Sequence, residues 1–207
     1  MIVYYFIINR QAFETIFTIH DEPIQRQHFE GIIKNHWLSG SVVCSYLKTI
    51  EMADSLIMSD GLVNHLLDKQ TSKYLDKIDI NGLNFIAGPY LINNNHWLAF
   101  IVDMIRYRFI LLDPLHKISP IVDNAFKSWI KYYNSRSHST STSVDQTNLE
   151  WEIHHVDHPL QSDSYNCGVF VIHFINKYIN NNAKIDFDNS STSLACDRQL
   201  IASTIQI

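Results

Sequence analysis

Two hydrophobic periods run through the chain. Within Ser41 to Met52, the apolar positions Val42, Val43, Tyr46, Leu47 and Ile50 fall three and four apart, the stripe of an amphipathic helix. Ser41 or Ser39 is placed to cap it. Leu62 to Leu67 reads as a second, short helix. Trp97 to Val102 and Tyr107 to Leu112 are continuous apolar runs of strand length, and Pro114 bars further pairing. Ser119 to Tyr133 has helical spacing with Pro120 in its first turn. Trp151 to Val156 reads as a strand that stops before Pro159. Cys167 to Ile179 is apolar nearly all round, which predicts a helix inside the core. The opening run Met1 to Ile8 has no basic segment before it and no small-residue cleavage site, and Asn9-Arg10 interrupts it. It reads as a buried strand and not as a signal peptide.

Strands near the centre with helices before and after them predict an α+β fold in which helices pack a mainly antiparallel sheet. The one break in composition is Ser135 to Asn148, which holds almost no apolar residue. Such a stretch does not offset its ordering entropy by burial, so a mobile loop is expected at about 135–149 within a single domain spanning 1–207.

Composition narrows the function. At 207 residues, 46% hydrophobic, the chain can bury an ordinary core. Lys and Arg number 16 against 21 Asp and Glu, a formal charge of −5, so the basic excess of a nucleic-acid binder is missing. No run approaches the roughly 18 apolar residues of a membrane helix. Three cysteines argue against a disulfide scaffold and for a reducing, intracellular compartment, nuclear or cytoplasmic. Nothing in the chain demands more than a monomer, and no cofactor is implied. His154, His155, Asp157 and His158 lie close together but on alternating sides of a strand and then a turn, which disfavours a metal site.

Chemistry enters through two placements. If the strands around Met104-Ile105 form a hairpin with Asp103 opposite Arg106, then His96 lies opposite Asp113 on the same face. The carboxylate would then hold the imidazole Nδ1–H. Asp103 is the competing acid, but that register puts it at the far end of the hairpin. The second placement is Gln161-Ser162-Asp163-Ser164-Tyr165-Asn166-Cys167-Gly168, a polar loop that runs into the buried helix. A cysteine as the first helical residue has its thiolate favoured by the helix amides, and a neighbouring imidazolium favours it further. The same amides suit a tetrahedral oxyanion, to which Gln161 can add a side-chain donor, and Gly168 leaves room for a substrate carbonyl. Cys44 lies inside the amphipathic stripe and Cys196 in a polar tail segment, so neither has this setting.

His96-Trp97, then Asp113, then Gln161, then Asn166-Cys167-Gly168 resemble, in order and spacing, the ubiquitin-like-protein-specific cysteine proteases. These are the SUMO/sentrin-specific enzymes and their deneddylating relatives. The upstream Trp37-Leu38 pair, followed by a helix, is similar to that family's tryptophan-leucine motif, and the likeness extends over Trp37 to Ile179.

The resemblance implies a papain-like fold, with Cys167 as nucleophile, His96 as general base and acid, Asp113 orienting His96, and Gln161 in the oxyanion hole. It also implies that Trp97 and Trp37 wall a tunnel for a Gly-Gly tail, against packing in an ordinary core. The expected partner is a ubiquitin-like modifier and its conjugates. Position 40 departs from the pattern: relatives commonly carry there an acidic residue that grips a basic residue of the modifier, whereas this chain has Gly40. Two other readings stay open. One is an acyltransferase that uses the same three groups, since an acceptor lysine competes with water for the thioester. The other is a non-catalytic binder of ubiquitin-like proteins.

Overall fold

The computed structural model describes residues 13–19, 22–69, 75–116, 121–137, 150–180 and 184–205. A small antiparallel ribbon, β1 (Thr15–Ile19) and β2 (Glu22–Gln25), leads into helices α1 (Arg26–Ile33) and α2 (Gly40–Thr49). Ser39, not Ser41, caps α2, its hydroxyl accepting from Val42 N. Next come β3 (Ser55–Ile57) and α3 (Asp60–Asn64), which continues as one wider π turn, His65–Lys69. The predicted short helix is therefore present, though irregular.

The main sheet has the order β3-β4-β5-β6-β7, from β4 (Phe85–Ile92), β5 (His96–Asp103), β6 (Arg108–Leu112) and β7 (Glu152–Ile153). Its three middle strands pair antiparallel, while β3 and β7 add parallel edges, so the sheet is mixed. Strand β5 is buried on both faces, which is why its sequence is continuously apolar. Trp97, Ala99 and Ile101 meet one core together with α1, α2, α5 (Cys167–Asn180) and α6 (Ser191–Thr204). Leu98, Phe100 and Val102 meet a second core under α4 (Ile121–Ser137), where Trp129 is fully buried.

Three sequence expectations change. The β7 pairing covers two residues where six were expected. Helix α4 runs on through Ser137, so the residues from Ser135 to Ser137 belong to a helix and not to the polar loop. Residues 138–149 of that loop, Pro120, and the run Met1 to Ile8 lie outside the described residues. The last change concerns the tail containing Cys196, which is helix α6.

Candidate active site

The hairpin register differs from the simple two-residue turn. Asp103 pairs with Arg108, because the connection spans four residues, Met104 to Tyr107, and Tyr107 takes a left-handed φ of 54°. The Asp103 carboxylate builds that turn: Oδ1 accepts from Ile105 N and Arg106 N, and Oδ2 accepts from the Arg106 guanidinium and from the Tyr178 hydroxyl. Asp103 is thereby committed to the fold. The pairing shifts by two residues, and a shift of two preserves which face each side chain occupies. His96 and Asp113 become diagonal neighbours on one face and not direct opposites, a separation long side chains still span.

They do meet. His96 Nε2 lies 2.7 Å from Asp113 Oδ1, and the same oxygen accepts from Leu115 N. The carboxylate therefore holds Nε2, where the sequence reading had Nδ1, and Cys167 is the second group that acts on the same ring. A tight turn sets His96 at the start of β5. Asn93 and Asn94, with φ of 51° and 57°, adopt the left-handed conformation that asparagine tolerates, and Asn95 N donates to Ile92 O. Burial pulls the His96 pKa down, but the hydrogen bonds to Asp113 and Cys167 and the charges of both outweigh it. The result is a rise from 6.5 to about 9. A ring held positive beside a sulfur is the state that a thiolate–imidazolium pair requires.

Cys167 is the first residue of α5 and is only 2% exposed. The loop ahead of it is organised by Asp163, which sequence reasoning passed over. Its Oδ1 accepts from Tyr165 N, Asn166 N and Gln161 Nε2, and its Oδ2 accepts from Asn166 Nδ2. Burial pushes the Asp163 pKa up, but these four donors prevail and hold it below the usual carboxylate range. The signal was available: an Asp two and three residues before free loop amides is an Asx turn. Gln161 is buried at the same loop, with Nε2 also donating to Asp163 O. Its donor group thus braces the loop in this structure.

The two tryptophans divide. Trp97 is buried in the core and donates Nε1–H to Leu38 O, 2.9 Å away. Trp37 is 53% exposed, a poor fit to core packing, and its Nε1–H donates to Ser164 O, three residues before Cys167. Both rings thus tie the Trp37-Leu38 segment to its neighbours, Trp97 to β5 and Trp37 to the loop before Cys167. Gly168 has a different role from the one expected. A Cβ there would stand 3.0 Å from Leu38 Cβ and 3.2 Å from Val43 Cγ2, so its bare Cα serves the packing of α5 on α2. A Cβ at Gly40 would meet Asp60 Oδ2 at 2.5 Å. A carboxylate from α3 fills the place that an acidic side chain at position 40 would occupy. The histidines of the 154–158 cluster face different neighbours, His154 towards Glu152 and His158 onto the Phe174 ring.

A cysteine at a helix start, beside a ring that a carboxylate holds, in the chain order His, Asp, Cys across helices and a mixed sheet, puts the protein among the cysteine-type peptidases of papain-like architecture. Comparison narrows the class. Residues 67–199, more than half of the chain, match the family described as the Ulp1 protease family, C-terminal catalytic domain, and the chain belongs to that family. Solved structures share the fold. The C-terminal Ulp1 protease domain in complex with Smt3, the yeast ortholog of SUMO, superposes with a TM-score of 0.79 at 19% identity, covering 98% of this chain and 91% of that one. The Chaetomium thermophilum Ulp1-like SUMO protease catalytic domain gives a TM-score of 0.69 at 16% identity, covering 95% and 83% of the two chains. The Xanthomonas campestris effector XopD bound to ubiquitin gives 0.53 at 13% identity, covering 80% and 91%. No curated protein sequence matches the chain.

Proposed function

We propose that the protein hydrolyses the bond after the C-terminal Gly-Gly of a SUMO-type modifier, in a precursor or in a lysine isopeptide, through Cys167, His96 and Asp113. The observation that carries this reading is the His96 ring, held by Asp113 at 2.7 Å, with Cys167 as the second group that favours its charged form.

The Cys167 thiolate adds to the terminal glycine carbonyl, and the oxyanion is met by backbone amides at the start of α5. Collapse breaks the C–N bond as the His96 imidazolium gives its proton to the leaving amine, leaving a thioester. The now neutral His96 takes a proton from water. The hydroxide adds to the thioester, the C–S bond breaks, and the acid product and the thiolate–imidazolium pair are released. Gln161 contributes a second donor by exchanging an Asp163 contact for the substrate oxygen. Trp37 and Trp97 narrow the approach so that a tail without side chains passes while bulkier ones are refused. Asp60, standing where relatives place their acidic residue, supports a basic residue on the modifier as the group gripped beside the tail.

A panel of modifier tails carrying C-terminal electrophiles tests the reading. SUMO vinyl sulfone should capture the wild-type chain one for one and leave Cys167→Ser unlabelled. Silence across the panel, with labelled product from acetyl-CoA, would replace hydrolysis by acyl transfer. Cleavage by Cys167→Ser would remove the mechanism altogether.

A further inference from the structure

Helix α6 carries an arginine where its helical stripe calls for an apolar residue. Leu194, Arg198, Ile201 and Ile205 fall on one face, and Arg198 is as buried as its neighbours, 2% exposed. A guanidinium has five N–H donors, and all five are matched here. Nε donates to Asn166 Oδ1, Nη1 to Gly31 O and Ile32 O, and Nη2 to His36 O and Tyr165 O, at distances from 2.7 to 3.2 Å. None of these acceptors is a carboxylate, so the site is built to fix geometry more than to pair charge. The guanidinium also lies over the Tyr165 ring, 5.3 Å from its centroid.

The acceptors belong to two segments. Gly31, Ile32 and His36 form the end of α1 and the turn immediately before Trp37. Tyr165 and Asn166 immediately precede Cys167. A further link between the segments is Trp37 Nε1 to Ser164 O, which is exposed. A buried acceptor left unsatisfied is costly, so a rigid fork of this kind resists any relative movement of its two ends.

We propose that Arg198 is the positioning residue that sets the spacing between Trp37 and Cys167, and with it the width of the channel through which the substrate tail reaches the sulfur. This rests on the tail-cleaving function above, but its geometric half is measurable without turnover. A misplacement of about 1 Å at a reacting centre costs up to about 10²-fold in rate, so looseness here has a kinetic signature.

Two variants test it, Arg198→Lys, which keeps the charge and loses the fork, and Asn166→Ala, which removes the acceptor of Nε and with it the Nδ2 donor to Asp163. Hydrogen exchange followed by peptide reports 31–38, 163–168 and the β5 reference 97–103. In Arg198→Lys, exchange should accelerate about tenfold or more in both flanking segments while β5 holds, and KM for SUMO–aminomethylcoumarin should rise about tenfold per titrated active site. Asn166→Ala, read alone if Arg198→Lys does not fold, should loosen 163–168 and spare 31–38. Acceleration spread evenly over β5, or unchanged exchange with KM within twofold of wild type, would overturn the proposal. Failure of the wild-type chain to react with any modifier tail would instead sink the proposed substrate, while the exchange pattern would still decide the role of Arg198.

Discussion

Replacing Asp113 with asparagine removes one charge and almost no volume, which makes it the sharpest probe of the His96 ring. The rise of His96 from 6.5 to about 9 corresponds to about 3 kcal/mol in favour of the charged imidazole. The hydrogen bond to Asp113 is the first of the raising contributions, with Cys167 next. Asparagine still offers Oδ1 to Leu115 N but no longer an anion to the ring. Loss of about half the stabilisation, about 1–2 kcal/mol, lowers kcat/KM about 5- to 30-fold near neutral pH. If the substituted amide turns its NH2 to the ring, the wrong tautomer results and the loss reaches about 10⁴-fold. The assay is the pH profile of kcat/KM on SUMO–aminomethylcoumarin. Wild type should fall on the alkaline side near pH 9, and the variant's alkaline limb should move down by roughly one unit or more. Thermal unfolding gives an independent check. His96 stands above its ordinary value in the folded state, so its contribution to stability is complete below about pH 6.5 and is lost as pH rises through about 9. The Tm gap between wild type and Asp113→Asn should therefore be widest near pH 6 and close above about pH 9. An unmoved alkaline limb, with turnover within threefold of wild type, would refute the assignment of Asp113 as the group that holds His96.

Other substitutions follow from the same geometry. Trp37→Ala, at a ring more than half exposed, should raise KM for the tail about tenfold with little change in Tm; an unchanged KM would take Trp37 out of the channel. Gly168→Ala should cost about 1–3 kcal/mol in urea unfolding, because its methyl would press on Leu38 and Val43, and a neutral result would mean that α2 yields at that contact. Gln161→Ala should lower kcat about 10²-fold, near the small end for an oxyanion donor, since the amide is partly spent on Asp163; full activity would reduce it to a loop brace. Asp60→Ala should raise KM for whole modifiers while sparing short Gly-Gly peptides, and equal losses on both would argue against an external basic partner.

Where the sequence was readable, one period governed a whole element. Helices α2 and α5 and strands β5 and β6 each declare themselves through an uninterrupted stripe or run. Strand β4 does not, because Gly88-Pro89 sits in its middle. Both residues ordinarily break strands, yet a Cβ at Gly88 would strike Met58 O at 2.5 Å, and β3 has ended by the level of Pro89, so no ladder bond is lost on that side. Helix α6 was hidden for the opposite reason: its buried face includes a charged residue, which pattern reading assigns to solvent. The site was legible to the extent that parity sufficed. His96 and Asp113 share a face under either hairpin register, but parity does not say which ring nitrogen meets the carboxylate. Arg198 acts mainly through loop carbonyls that no side-chain spacing announces.

The depth of Cys167 has a bearing on how the protein survives in a cell. Scarcely any of its sulfur faces the surrounding water. Under the proposed function, selection would then happen by admission, with a bulky electrophile turned away and a thin, pliant chain end let through. Cys196, which lies on the surface, enjoys no such shelter and should be the first thiol that indiscriminate reagents find.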